Sequence, residues 1–205
     1  MASSDDAVLI LGIGNVLWAD EGFGVRCAEA LNAGWALPDN VTVMDGGTQG
    51  LYLLPYVTAA RHLIVFDAVD FGLVPGTLHL VAGEDVPQFM GAKKMSLHQT
   101  GFQEVLASAR LLDQLPETLL LIGVQPVELD DYGGSLRPEV DAQVTPAVSV
   151  ALARLREWGM PLVAREAGAE RLNDAALSRG VYEGARPPEA LACRFGDQRF
   201  FPEDA

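Results

Sequence analysis

Residues 8–11, 41–45, 62–67 and 119–124 are apolar runs with little or no alternation. Such runs read as strands covered on both faces, the pattern of a parallel sheet. Between them the apolar positions recur every three or four residues. Val25, Ala28, Leu31 and Trp35 predict a helix over residues 20–34, stopped by Pro38. Residues 51–60 read as a short helix that Pro55 interrupts early. Ser96 and Gln99 have the spacing of a capping box, ahead of a stripe formed by Phe102, Val105, Leu106, Ala109 and Leu112. Thr145 and Pro146 suit an N-cap and a first helical position. Val148, Ala151, Leu152, Leu155 and Trp158 then face inward, and Gly159 ends that helix.

Only residues 68–75 separate the third strand from a further one at 76–81. A parallel crossover needs a dozen or more residues, so this fourth strand is expected to run antiparallel. Residues 85–90 read as an irregular turn or short helix, and 91–95 as a surface loop. Strands alternating with helices make the chain α/β, with residues 1–165 as a single domain. After Arg165 the sequence turns to charge, Gly and Pro with scattered Leu, Tyr and Phe. These are too few for a second core, so residues 166–205 are expected to form a C-terminal tail. Arg194-Phe195 and Arg199-Phe200-Phe201 could dock that tail on the body or on a partner.

Composition narrows the partners. A formal charge of −14 over 205 residues argues against nucleic acid and anionic membrane surfaces. Cys27 and Cys193 stand far apart and in no metal or redox spacing, which fits a reducing cytoplasm. No apolar segment is long enough to span a bilayer, and the start lacks the basic residues of a signal peptide. A cytoplasmic location is the expectation.

The candidate chemistry gathers where strands end. The first strand runs into Gly12 and Gly14, and Asp20-Glu21 opens the following helix. Strand, glycine turn and helix start form the frame of many α/β active sites. Helix starts often hold phosphate, but two carboxylates would repel it, so a cation is the better guest. Asp45 ends the second strand in Asp45-Gly46-Gly47-Thr48-Gln49-Gly50, Asp67 ends the third, and His98 opens a later helix. In open α/β sheets, ligands bind outside the carboxyl ends of the strands. Glu21, Asp67 and His98 would there make a three-ligand nitrogen and oxygen site for a divalent metal. The helix dipole would keep His98 neutral, as ligation needs. Plainer roles exist for each: Glu21 suits a first helical turn, Asp45 a loop cap, and His98 a polar helix start. Asp67 behind an apolar strand needs a partner. His62 and His79 read as structural.

These residues resemble the nickel–iron hydrogenase maturation endopeptidases. The likeness is carried by Leu11-Gly12-Ile13-Gly14-Asn15 with Asp20-Glu21-Gly22-Phe23-Gly24-Val25, and by the 45–50 glycine loop. Asp67-Ala68-Val69, Pro75-Gly76-Thr77, Ser96-Leu97-His98-Gln99-Thr100-Gly101 and Gly123-Val124-Gln125-Pro126 complete it. It covers residues 8–159, and the long form over residues 16–24 is similar to members serving membrane-bound uptake hydrogenases. The resemblance implies a three-layer α/β/α sandwich. Its mixed five-stranded sheet has the order 2-1-3-5-4 with strand 4 antiparallel. It implies a protease, grouped with the aspartyl type, that removes the C-terminal peptide of the hydrogenase large-subunit precursor after nickel insertion. By resemblance the metal-contacting residues are Glu21, Asp67 and His98. The metal is the substrate's nickel, bound transiently, with other divalent cations able to substitute in vitro. The partner is the large-subunit precursor, and the protease is expected to be a monomer. The family's acid in the glycine loop matches Asp45.

The mechanism is framed partly by exclusion. The chain has no His-Glu-x-x-His and no Gly-x-Ser-x-Gly. Cys27 falls inside the first helix and Cys193 in the tail, so a thiol nucleophile is not expected. The residue set fits metal-assisted hydrolysis, with Asp45 as a candidate base. Two other readings compete. A nickel-reading assembly chaperone would use the same residues without cutting. A dinucleotide-binding oxidoreductase would use Gly12-x-Gly14 and Asp45, but Leu17 stands where its third glycine belongs.

Overall fold

Strand β1 (Val8–Ile13) lies inside a five-stranded sheet and carries the turn from which the site is built. A computed structural model describes residues 6–89, 97–165 and 171–185. After β1 come α1 (Phe23–Gly34), β2 (Trp35–Ala36), β3 (Val41–Gly47), α2 (Leu54–Ala59), β4 (His62–Ala68), β5 (Leu78–Ala82) and α3 (Asp85–Phe89). Then follow α4 (Leu97–Leu111), β6 (Thr118–Val124), α5 (Pro138–Asp141), α6 (Val144–Glu157), β7 (Val163–Ala164) and α7 (Arg179–Ala185). The main sheet has the order β3-β1-β4-β6-β5. Contacts β1–β3, β1–β4 and β4–β6 are parallel, and β5 runs antiparallel to β6. Leaving out β2 and β7, which pair in a separate ribbon, the order is 2-1-3-5-4. The short link between β4 and β5 had required that antiparallel strand.

The pleat sends alternate residues to two cores. Val8, Ile10, Ile64, Phe66, Leu120 and Ile122 pack against Phe23, Cys27 and Leu31 of α1 and Ala147, Ala151 and Leu155 of α6. Leu9, Leu11, Leu63, Val65 and Leu121 pack against Val57 of α2 and Phe102, Val105, Leu106 and Ala109 of α4. Helices therefore cover both faces, which is the α/β/α sandwich.

Local differences from the sequence expectations have simple causes. Strand β3 sits at the sheet edge and is only partly covered, with Thr42 exposed. Pro55 does not interrupt α2 but occupies its first turn, where its missing N–H is not needed, behind a 3-10 turn at Gly50–Leu53. Helix α6 starts at Val144, so Pro146 again lies in a first turn and Thr145 is not the cap. Leu112 lies past the end of α4 and is exposed, because Asp113 takes a left-handed backbone there. Ser96 and residues 91–95 lie outside the described residues.

Three glycines let α1 reach the end of β1. A Cβ on Gly24 would sit 2.2 Å from the carbonyl oxygens of both Ile13 and Phe66. One on Gly12 would sit 2.4 Å from the Gly24 carbonyl oxygen, and one on Gly14 would sit 1.8 Å from that of Glu21. No side chain can yield here, because every obstacle is backbone. Gly24→Ala is therefore expected to cost about 3 kcal/mol or more, at the upper end of overpacking effects. Urea unfolding of the variant beside the parent measures this; a loss below about 1 kcal/mol would show that α1 can slide away from the sheet.

Candidate functional site

The two acids that open α1 part company. Asp20 is fully buried. Its Oδ2 accepts from the N–H of Val127 and of Glu128, both at 2.9 Å, and its Oδ1 from the N–H of Arg137 at 2.7 Å. Asp20 is thus the anchor of the loop between β6 and α5. The Gly133 N–H donates to the Leu17 carbonyl at 2.7 Å, and Trp18 meets Tyr132 edge-on at 5.2 Å. Within the loop, Arg137 pairs with Asp131 at 2.7 Å.

Glu21 stays at the surface of this assembly, half-buried. Burial, and then the Asp130 carboxylate that the loop brings near, raise its pKa to about 7. The 3-10 turn carrying it (Ala19–Gly22) packs on β4, the strand that ends in Asp67-Ala68. Asp67 is fully buried. It follows Phe66 in the pleat and pairs with Gly123, so it faces the α2–α4 side of the sheet. A Cβ on Gly123 would press on the Phe71 ring at 2.5 Å, which marks how closely that side is packed.

His98 lies in the first turn of α4, and its imidazole is outside the described residues. The start of that helix is set by two glycines: a Cβ on Gly101 would stand 3.3 Å from Gly50 Cα. The contact joins α4 to the end of the 45–50 loop. Among the described residues no three His, Cys, Asp or Glu form a metal-holding group.

Asp45 pairs with Gly12 and so faces α1, the opposite face from Asp67. Its Oδ1 is buried without a hydrogen-bond partner. Burial raises its pKa, while hydrogen bonds from the Asn173 side chain and the Gly47 backbone, and the Arg26 charge, oppose the rise; Glu29 adds to it. A carboxyl with raised proton affinity and one unpartnered oxygen can take a proton from water.

The remaining reactive groups are otherwise engaged. Cys27 is buried, which pushes its thiol pKa well up and keeps it from acting as a thiolate. His62 stacks on Trp158 at 4.5 Å, with Nδ1 2.6 Å from Thr118 Oγ1. His79 meets the Phe71 ring at 4.7 Å. Sequence reasoning missed Asp130, Arg26 and Asn173. Asp130 lay in a loop read only as rich in Asp and Gly, Arg26 had no periodic signal, and Asn173 belonged to the presumed tail.

Comparison with known proteins completes the picture. The family model described as HycI, hydrogenase maturation protease, matches residues 25–154. The chain belongs to the hydrogenase maturation protease family. It is a peptide hydrolase of that class. It is 58% identical over 204 residues to the hydrogenase expression/formation protein HupD of Rhodobacter capsulatus, covering 100% of this chain and 97% of that one. The hydrogenase 2 maturation protease of Escherichia coli K12 is 42% identical over 161 residues, covering 78% of this chain and 97% of that protein. The structure of the hydrogenase maturating endopeptidase HybD from E. coli superposes with a TM-score of 0.74 at 40% identity, over 78% of this chain and 98% of that one. Among the described residues of the protease, no helix is long and apolar enough to cross a membrane.

The Glu21 pKa carries a stability prediction. A folded-state value of about 7 against an ordinary 4.5 means that folding opposes ionisation of this group. The penalty is absent below the ordinary value, grows as pH rises, and is complete above the folded value. Glu21→Gln removes it. In chelator-treated protein, the thermal midpoint of the variant should gain on that of the parent between pH 4 and pH 8, most steeply across pH 4.5–7. A difference that is flat with pH would mean that Glu21 ionises freely.

Proposed function

We propose that this protease removes the C-terminal peptide from the large-subunit precursor of a nickel–iron hydrogenase of the membrane-bound uptake type, after nickel insertion. The nickel carried by the precursor is the recognition signal. One observation supports this reading above the others. Glu21 and Asp67 come from adjoining elements at one sheet edge, and the first turn of α4, with His98, is tied to the neighbouring glycine loop by Gly50 and Gly101.

The donor chemistry fits a divalent ion presented by a substrate. Carboxylates with an imidazole suit nickel and leave positions for the precursor's own ligands. They do not exclude other divalent cations in vitro, which follow the Irving–Williams order. Half-protonated at neutral pH, Glu21 gives up its proton when a dication arrives. Asp45 serves as the base. It takes a proton from water, the water oxygen bonds to the scissile carbonyl carbon, the carbon–nitrogen bond breaks, and the leaving amine takes up the proton. The products are the mature subunit with a new C-terminal carboxylate and a free peptide.

The test uses protease that has been treated with chelator and desalted, mixed with nickel-loaded or nickel-free precursor, and mass spectrometry of the precursor's C-terminus. Only the loaded form should be trimmed, without added metal. Equal trimming of the nickel-free form would overturn the nickel signal, and trimming of neither would favour an assembly role without cleavage. Asp67→Asn should abolish trimming while its thermal midpoint holds or rises, since one of several neighbouring negative charges is removed. A sharp fall in that midpoint would give Asp67 a structural role instead.

A further inference from the structure

One row of residues crosses the sheet beside the site. Asp67 of β4 pairs with Gly123 of β6, and Gly123 pairs with His79 of β5. The pleat puts all three on the face that α2 and α4 cover, in step with Val65, Leu121 and Val81. The middle position has no side chain of its own, and the Phe71 ring lies there instead. A Cβ on Gly123 would stand 2.5 Å from Phe71 Cζ and 2.6 Å from Cε2. On its far side the ring meets His79 edge-on at 4.7 Å. Neighbouring strands are about 4.8 Å apart, so the ring stands one strand spacing from the Asp67 position. Gln125, only 7% exposed, holds the link that carries the ring. Its Oε1 accepts from the N–H of Phe71 at 2.8 Å and of Leu73 at 3.1 Å, and its Nε2 donates to Asp70 Oδ1 at 3.0 Å. The Gly72 N–H donates to that same Asp70 oxygen at 2.9 Å. On the main chain, the N–H groups of Val69 and Gly76 donate to the carbonyls of Val124 and Gln125.

We infer that Phe71 is a positioning residue for Asp67: Gln125 fixes the link so that the ring fills the place left by Gly123 and closes the β6 side of Asp67. The carboxylate is left the β1 side, where the turn carrying Glu21 packs on β4. The inference rests on the reading of Asp67 as a nickel-contacting group. The ring acts by volume and by apolarity. It occupies the space into which the carboxylate would swing, and it offers that carboxylate no donor in exchange for water. A larger residue at position 123 could not do this, because it would expel the ring. Misplacing a reacting group by about 1 Å can cost up to about 100-fold in rate.

The test compares the full-length parent with Phe71→Ala, Gln125→Leu, Gly123→Val and the double variant Phe71→Ala/Gly123→Val. Three-bond NMR couplings report the Asp67 side-chain rotamer, and trimming of nickel-loaded precursor reports the rate. The parent should show one Asp67 rotamer. Phe71→Ala and Gln125→Leu should show averaged couplings and trim about tenfold more slowly or worse. Gly123→Val alone collides with the ring and should lower the thermal midpoint. With the ring removed, the next atom met by that Cβ is the His79 carbonyl oxygen at 3.6 Å, an ordinary contact. The double variant should therefore regain a single rotamer, melt above Gly123→Val, and trim within about threefold of the parent. A merely structural role for Phe71 predicts no such rescue. A single Asp67 rotamer in Phe71→Ala, a trimming rate there equal to the parent's, or a double variant no better than either single one overturns the inference. Should Phe71→Ala fail to fold, Gln125→Leu and the double variant give the same readings. If the parent trims no precursor, the proposed function is refuted, and the couplings still decide whether the ring directs Asp67.

Discussion

A carboxylate sealed from solvent holds the site together. Asp20 accepts three backbone N–H bonds from a loop more than a hundred residues away along the chain. Hydrogen bonds to a charged group contribute about 1.5–3 kcal/mol each, and leaving such donors buried and unpaired costs about 1–3 kcal/mol apiece. Either figure exceeds what a surface ion pair supplies. The pairs Arg61–Glu117 and Arg154–Glu157, both well exposed, are thus decoration beside it. With Asp20 in place, the loop from Gln125 to Arg137 lies against the glycine turn, and Asp130 raises the proton affinity of Glu21.

The same carboxylate shows where reading the sequence stops. The five main strands were legible because their runs lack alternation, and the antiparallel strand followed from the length of a linker. Glu21, Asp45 and Asp67 were legible as strand-end acids because chain order and strand direction alone decide which edge they reach. The division of labour between Asp20 and Glu21 was not. They are neighbours in sequence, and only the position of a distant loop decides that one turns inward to bind N–H groups and the other outward. The face of Asp45 was hidden for a related reason: it depends on pairing register with Gly12, and one step in register reverses a side chain.

Helix ends and edges behaved likewise. Pro55 and Pro146 were recognised as helix-start residues or interruptions from local chemistry, but the first turn extends to where tertiary packing allows. Residues 171–185 were invisible as a structural element because they bring few apolar groups. Their hold on the domain is polar, through Asn173, Leu177 and Arg179.

That polar hold has a kinetic consequence. Arg26 and Leu177 are 151 positions apart, Glu29 and Asn173 are 144 apart, and the Asp20 bonds close separations of 107 to 117. Contacts this remote are made late in folding, after the loop-closure entropy of the intervening chain has been overcome. On a chain emerging from the ribosome, β1, β3 and β4 are complete long before the surroundings of Glu21 and Asp45 exist. The polar contacts around Glu21 and Glu29 are therefore completed only once residues 127–137 and 173–177 are present, and a nascent chain carries these acids without them.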